Sequence, residues 1–146
     1  MSLRDGKIKV GTVVYKGVNI CVKSSHHHSG FNVVGKAIIE LVVLEEGLVP
    51  TRHRRGTIHD WEEGFRKCRV PKAYVSKITR FMRDKSIDIS TTHAVSSGPN
   101  YLEYREGEIV VPDSFDTDPK RICTHGIHVF LDCDSAKRWI GWNYTV

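Results

Sequence analysis

The chain of 146 residues lacks a long uninterrupted apolar segment. Its longest aliphatic run, Ala37 to Val43, is interrupted by Glu40 and falls far short of the roughly 18 apolar residues that a membrane-spanning helix needs. The first seven residues also lack the apolar core of a signal peptide. The sequence therefore predicts an intracellular protein that has no signal peptide and does not enter a membrane.

The common catalytic and nucleotide-binding signatures are also missing. None of G-x-x-x-x-G-K-[ST], G-x-G-x-x-G, G-x-S-x-G or H-E-x-x-H occurs, which removes the usual nucleotide-binding, hydrolase and metalloprotease interpretations. The sequence predicts no catalytic residue and leans against an enzyme. The aspartates of the last third do not form the D-x-D-x-D-G loop of a calcium site, and the neighbouring prolines favour turn-forming aspartates instead; these residues are Asp113, Asp116, Asp118, Asp132 and Asp134.

Cysteine is scarce and scattered, at four positions in a chain that is large enough to fold without cross-links. We therefore expect free thiols rather than a disulfide framework. Cys68 lies between Lys67 and Arg69, where neighbouring cations would favour a reactive thiolate. A small buried hydrophobic side chain is the alternative that we favour.

A metal site is not predicted, although one group of residues leaves the alternative open. Cys123, His125, His128 and Cys133 fall within eleven positions, but they lack the paired C-x2-C spacing of a structural zinc site. The three consecutive histidines at 26–28 stand in a Ser/Gly context that favours a solvated surface. No cofactor is predicted either.

What the sequence does contain is the composition of a globular domain. Hydrophobic residues make up 40% of the chain and charged residues 27%, which excludes disorder and fibrous repeats. A chain of this length buries roughly two thirds of its unfolded surface. We expect a single domain over residues 1–146.

Most of the chain alternates apolar and polar residues with the period of β-strands. Lys16-Gly17 reads as the turn of an opening hairpin, and 51–69 reads as a polar loop with a short helical turn near Asp60. Gly35 to Leu44 favours a strand, with a helix as the alternative. The segment from Thr79 to Lys85 either extends its strand or begins a short helix. The predicted strands are 7–15, 18–23, 35–44, 73–78, 91–95, 101–104 and 108–111, with Gly107 in a hairpin turn between the last two.

The last third closes with a strand and a capped helix. Ile127 to Leu131 alternates after Gly126, and Asp132 or Asp134 is placed to accept the free amides of a helix that starts near Ser135. An apolar stripe of Ala136, Trp139 and Ile140 follows, and Gly141 is placed to end the helix. The predicted fold class is α+β: a small β-rich domain with antiparallel strands and a short C-terminal helix.

Charge is concentrated in the middle of the chain. Residues 50–90 contain 11 Lys+Arg against 5 Asp+Glu, whereas residues 91–146 contain 5 against 8. If the fold gathers the central cations on one face, they form a surface for an anionic partner; a solvated basic surface is the alternative. The candidate ligand-binding residues are Arg52, Arg54, Arg55, Arg66, Lys67, Arg69 and His128; the other central cations are Lys72, Lys77, Arg80, Arg83 and Lys85.

The order and spacing of several motifs resemble an uncharacterised small domain family of large DNA viruses of algae and amoebae, which also has phage and bacterial members. The matching pieces span about 35–140 and end in a C-x2-G-I-H-x-F signature at Cys123, Gly126-Ile127-His128 and Phe130. Earlier pieces are Lys36–Leu41, Arg66–Arg69 with Ala73, Ala94–Ser96, Glu103-Tyr104 with Gly107, and Pro112-Asp113 with Phe115-Asp116. The resemblance implies a β-rich fold and a viral or phage source, and therefore a location in the host cytoplasm or the virion. It implies no reaction.

A second, local similarity keeps one enzymatic alternative open. Gly126–Phe130 with Ser135–Lys137 looks like the G-I-Y-F strand and following helix of ADP-ribosyltransferases, in which an aromatic side chain stacks on nicotinamide. Here His128 stands in place of the Tyr, and neither an H-G-[ST] strand nor a terminal catalytic Glu is present. This alternative predicts NAD binding in a cleft lined by His128.

From these observations we expect a viral accessory binding module that engages an anionic partner: a nucleotide, a nucleic acid or an acidic protein surface. The transferase-like enzyme is the first alternative. The second is a structural component of a virion or a homo-oligomer, which predicts an exposed apolar patch around Trp139 and Trp142.

Overall fold

The computed structural model describes residues 6–22, 33–50, 67–96, 102–121 and 124–141. Most of these residues lie in antiparallel strands and one short helix follows, so the predicted α+β class is confirmed. The strands are β1 (Lys7–Ile8), β2 (Val13–Val22), β3 (Val33–Val43), β4 (Gly47–Leu48), β5 (Cys68–Val70), β6 (Ala73–Met82), β7 (Thr92–Ser96), β8 (Leu102–Tyr104), β9 (Ile109–Val110) and β10 (Ile127–Val129); the helix α1 is Cys133–Ile140.

The strands form two antiparallel sheets that pack on a shared core. The larger sheet has the order β8-β7-β2-β3-β6-β9, and the smaller has the order β1-β4-β5-β10. A bridge joins them after β10, where Phe130 and Tyr15 exchange backbone hydrogen bonds of 2.7 and 2.8 Å. The small sheet is therefore joined to β2 near the start of that strand.

The six-stranded sheet curls because its two edge strands are consecutive in the chain. Only residues 105–108 connect β8 to β9, and such a short segment cannot span a flat sheet of six strands about 4.8 Å apart. β8 and β9 are in contact, and β9 pairs with β6. Gly107 lies in the connecting turn as predicted, but the two strands beside it pair with other strands instead of forming a hairpin.

The main core lies between the two sheets and consists almost entirely of aliphatic side chains. Ile8, Val70 and Ile127 from the small sheet pack with residues such as Val14 and Ile39 from the large one, and all five are 0% exposed. A second apolar cluster fills the other face of the large sheet beneath α1, where Ile38, Phe130 and Ala136 are buried. The large sheet is thus covered on both faces.

The predicted opening hairpin is wrong, because Lys16 and Gly17 lie inside one continuous strand. β2 pairs with β3 without interruption from Val13 to Ile20, and the turn comes earlier, where the Thr12 amide donates to the Lys9 carbonyl at 3.1 Å. Gly17 is required for packing: a Cβ there would lie 2.7 Å from the Ala136 carbonyl oxygen and 2.7 Å from the Ile140 Cβ. The glycine allows α1 to approach the sheet closely.

We expect Gly17→Val to destabilise the fold by roughly 2–4 kcal/mol, because the side chain would push α1 away from the sheet. The measurement is the urea midpoint of unfolding, with Val13→Ala on the exposed end of the same strand as the control. A shift no larger than that of the control would mean that α1 does not need this close contact.

Several other strand and loop boundaries differ from the prediction, because pairing with a neighbouring strand determines where a strand begins and ends. The strand predicted for 35–44 is confirmed as β3 and starts at Val33, and β6 continues to Met82 in place of the alternative helix. The loop predicted to run to residue 69 ends earlier, since Cys68–Val70 pairs with β10. The rest of that loop, including Asp60, lies outside the described residues.

The C-terminal helix follows the prediction closely. Asp132 caps it by accepting the Ser135 amide at 2.7 Å and the Ser135 hydroxyl at 2.9 Å. Gly141 ends it in the left-handed region at φ 71°. No helix in the described ranges is long and apolar enough to cross a membrane.

Candidate functional site

Three of the candidate ligand-binding residues come together on the outer side of the small sheet. Arg69 on β5 pairs with His128 on β10, and Lys67 immediately precedes β5. Both Lys67 and Arg69 act electrostatically on His128. The remaining candidates, Arg52, Arg54, Arg55 and Arg66, lie outside the described residues.

Arg69 is fully buried, and its guanidinium donates hydrogen bonds to backbone carbonyls of the protein itself. Its Nε donates to the Asp116 carbonyl at 2.8 Å, one Nη donates to the Asp118 carbonyl at 2.6 Å, and the other donates to the Arg121 carbonyl at 2.5 Å. Burial lowers the pKa of the guanidinium, while Asp116 and Asp118 act in the opposite direction. With 0% exposure, Arg69 holds the 116–121 loop and does not form part of a ligand-binding surface.

The aspartates of that loop shape its turns. The Asp116 carboxylate accepts the Asp118 amide at 2.8 Å and the Thr124 hydroxyl at 2.8 Å, and these hydrogen bonds lower its pKa. The Asp118 carboxylate accepts the Lys120 amide at 2.9 Å. These hydrogen bonds agree with the interpretation of the aspartates as turn-forming residues.

His128 is held as a neutral imidazole. Its Nε2 donates to the Thr124 carbonyl at 2.5 Å, which places the ring proton on that nitrogen. Burial first, and then the charges of Lys67, Lys16 and Arg69, lower the pKa of His128 to about 4. At neutral pH the positive charge around this residue therefore belongs to the neighbouring Lys and Arg side chains.

Lys16 is the member of this group that the sequence prediction missed. It shares the core-facing side of β2 with Val14 and Val18, and its Nζ donates to the His128 carbonyl at 2.9 Å. Burial first, and then the charge of Lys67, lower its pKa to about 7. The alternation Val14-x-Lys16-x-Val18-x-Ile20 was the available signal, but it was hidden by the assignment of Lys16-Gly17 to a turn.

Lys67 lies over an aromatic ring at the edge of the same group. Its Nζ is 4.6 Å from the centroid of the Trp139 ring, a cation–π contact, and Trp139 also packs against Phe130 at 5.7 Å. Trp139 is 50% exposed. Trp142, the other half of the predicted apolar patch, lies outside the described residues.

The central cations do not share one face. Arg69 is buried, Lys72 pairs with Glu45 at 3.9 Å, and Lys77 and Arg80 lie on opposite faces of β6. Successive residues of a strand point to opposite faces of the sheet. Cations that are close together in the sequence therefore lie in several separate places on the protein. The described cations therefore do not form the single basic face that the sequence predicted.

A cleft of about 410 Å³ lies where β3 and β6 meet the C-terminal end of α1. The residues that line it are Gly35, Lys36, Phe81, Met82, Arg83, Lys85 and Gly141. Among the described residues its charged lining is entirely cationic, and its apolar lining combines a phenyl ring with a thioether. This cleft was not predicted, because Lys36 is far in sequence from Arg83 and Lys85.

Hydrogen bonds fix the Lys36 side chain and the backbone at Arg83. Lys36 Nζ donates to the Gly141 carbonyl at 2.9 Å, and the Arg83 amide donates to the Val34 carbonyl at 3.0 Å. Between Arg83 and Lys85, the Asp84 carboxylate accepts the Ser86 amide at 2.9 Å and hydroxyl at 2.6 Å. In the part of the chain that the structure describes, no carboxylate pairs with Arg83 or Lys85.

The cysteines and histidines do not assemble into a metal centre among the described residues, where no group of three or more His, Cys, Asp or Glu side chains is placed to hold an ion. Cys21, Cys68 and Cys133 are free thiols. Cys68 is 1% exposed, as the buried alternative predicts. His125 is 3.6 Å from Asp113, and both Cys123 and the histidines at 26–28 lie outside the described ranges.

Comparison with known proteins identifies a family without a known activity. A family of unknown function, DUF5758, matches residues 11–136, a region that starts earlier than the one the sequence motifs suggested. This confirms the resemblance to an uncharacterised small domain family. No curated protein and no solved structure matches the chain.

Proposed function

We propose that this chain, which belongs to the DUF5758 family, is a binding module for a small anionic ligand and that the cleft between β3, β6 and α1 is its binding site. The observation that carries the proposal is the lining of this cleft: among the described residues every charged side chain in it is a cation, and none of the three pairs with a carboxylate.

The size and chemistry of the cleft favour a nucleotide over a nucleic acid or an acidic protein surface. A volume of about 410 Å³ lies within the range of roughly 300–1,000 Å³ that is typical of small-molecule pockets. Arg83 and Lys85 supply charge-assisted donors for phosphate oxygens. Phe81 and Met82 supply an apolar wall for a planar base.

The remaining parts of the proposal concern the setting of the protein. The motif resemblance supports a viral source, and hence an accessory role in the host cytoplasm or in the virion. The half-exposed Trp139 supports a homo-oligomer as an additional assembly. Neither of these points is needed for binding at the cleft.

A thermal-shift screen tests the function. Nucleoside mono- and triphosphates, inorganic pyrophosphate, single-stranded nucleic acid and an acidic peptide are each titrated at 50 and 300 mM salt. We expect a nucleotide to raise the melting temperature, since a ligand that binds only the folded state stabilises it, and we expect the shift to shrink at the higher salt. A larger shift with nucleic acid or the acidic peptide, or no shift at all, would overturn the assignment.

NAD is the informative additional compound in this screen. The transferase-like alternative predicts a cleft lined by His128, but the cleft described here is lined by other residues. If NAD stabilises the protein and His128→Ala abolishes that effect, the enzymatic alternative replaces the proposal. Stabilisation by NAD that instead depends on Arg83 would fit binding of its pyrophosphate at the cleft.

A further inference from the structure

The Lys16 side chain occupies a position that disfavours an ammonium ion. It extends from the core-facing side of β2, between Val14 and Val18, whose side chains are 0% and 1% exposed. Across β3 its neighbour in register is the buried Ile39. A charged amine in such surroundings loses most of its hydration and needs a compensating partner.

Among the residues that the structure describes, no such partner is present. The Lys16 amino group has one acceptor, the His128 carbonyl at 2.9 Å, and in the described ranges no carboxylate forms an ion pair with it. An ammonium carries three N–H donors, so this arrangement suits a neutral amine better. The residue as a whole is only partly buried.

The groups that face Lys16 from neighbouring elements are cationic or neutral. Lys67, next to β5, disfavours a second positive charge, and His128 on β10 is held neutral by burial and by the charges of the neighbouring cations. Burial together with the Lys67 charge accounts for the lowered pKa of Lys16, at about 7. Its amine therefore carries an available lone pair in a large fraction of molecules at neutral pH.

We propose that Lys16 is a nucleophilic amine that forms an imine with an aldehyde or ketone bearing an anionic group. The nitrogen lone pair attacks the carbonyl carbon to give a carbinolamine, and loss of water, which takes the carbonyl oxygen and both amine hydrogens, leaves the C=N bond. Lys67 draws the anionic group of the carbonyl compound towards the site. This reaction is independent of binding at the cleft.

Reductive trapping on the full chain tests the proposal, with glyoxylate as the anionic aldehyde and cyanoborohydride as the reductant. Peptide mass spectrometry then compares Lys16 with Lys77, an exposed lysine of β6. At pH 7 we expect Lys16 to be modified at least about tenfold faster, because an exposed lysine with a pKa near 10.4 is almost wholly protonated. Modification of Lys16 no faster than that of Lys77 would refute the idea.

Two further readouts separate a reactive amine from a merely accessible one. Trapping at Lys16 is expected to rise through pH 7 and level off by about pH 8.5, whereas trapping at a freely solvated lysine keeps rising to pH 9. Lys67→Met removes the neighbouring charge, which raises the pKa of Lys16 and slows its trapping at pH 7 by a few fold. An unchanged rate in Lys67→Met, or a midpoint near 10 for Lys16, would contradict the proposal without needing a Lys16 variant to fold.

Discussion

Arg69→Met is expected to lower the free energy of unfolding by roughly 3–5 kcal/mol. The guanidinium is 0% exposed and satisfies the carbonyl oxygens of Asp116, Asp118 and Arg121. Each hydrogen bond to a charged group contributes about 1.5–3 kcal/mol, and removal of the donor leaves acceptors unpaired. For a domain of this size the loss corresponds to a fall in melting temperature of about 10 °C or more, measured by circular dichroism.

Arg121→Ala is the matched control for this variant. Arg121 is an exposed arginine of the same loop, at 3.5 Å from Asp116 and 3.6 Å from Asp118. Surface ion pairs of this kind contribute about 0–1 kcal/mol, so we expect a small shift. Cleavage by trypsin after Lys120, which both variants retain, should accelerate strongly in Arg69→Met only. Equal stability of the two variants would show that the buried guanidinium does not hold the loop.

The second large effect is expected from reversing charge at the cleft. Arg83→Glu combined with Lys85→Glu should weaken nucleotide binding by at least about thirtyfold, because two donors to phosphate become two repelling carboxylates. Lys36 remains but is engaged with the Gly141 carbonyl. The dissociation constants are measured by isothermal titration calorimetry with a nucleoside monophosphate at 50 mM salt.

The control changes net charge by the same amount at exposed lysines outside the cleft. Lys9→Glu combined with Lys77→Glu alters two such lysines, neither of which lines the cleft. We expect this variant to lose no more than about threefold in affinity, through the weak long-range field that salt screens. If both double variants lose affinity equally, net charge rather than the cleft accounts for binding.

Lys16 also gives a stability prediction whose sign follows from its pKa. The folded-state value of about 7 lies below the usual 10.5, so the charged form destabilises the fold fully below pH 7, and this penalty is relieved as pH rises towards 10.5. Lys16→Met should therefore raise the melting temperature relative to the natural chain at pH 6, and this advantage should shrink at pH 9. A difference that does not depend on pH would contradict the burial of this amine.

Local patterns were sufficient for several strands, such as β3 and β6, and for the C-terminal helix. The Asp132 cap, the apolar face of α1 and the stop at Gly141 involve residues that are close in sequence, so the chain displays them directly. Gly17 was misassigned because a glycine that permits helix packing looks the same in sequence as a glycine in a turn. The partner that distinguishes the two cases lies more than 100 residues away.

The candidate site was less predictable, since charge in a sequence does not report where side chains point. Arg69 counted as one more cation of the basic segment, yet β5 directs it onto the carbonyls of a distant loop. The cleft requires Lys36 on β3 beside Arg83 and Lys85 after β6. Only the register of those two strands brings these cations together.

The most direct test of the central claim is a map of amide chemical-shift changes when a nucleoside monophosphate is titrated into the isotopically labelled protein. Binding at the cleft predicts the largest changes at residues 35–36, 81–85 and 141. Inorganic pyrophosphate should move the amides near Arg83 and Lys85 but affect Phe81 less. Changes centred on Lys67 and His128, or spread evenly over exposed lysines, would contradict the assignment of the cleft as the binding site.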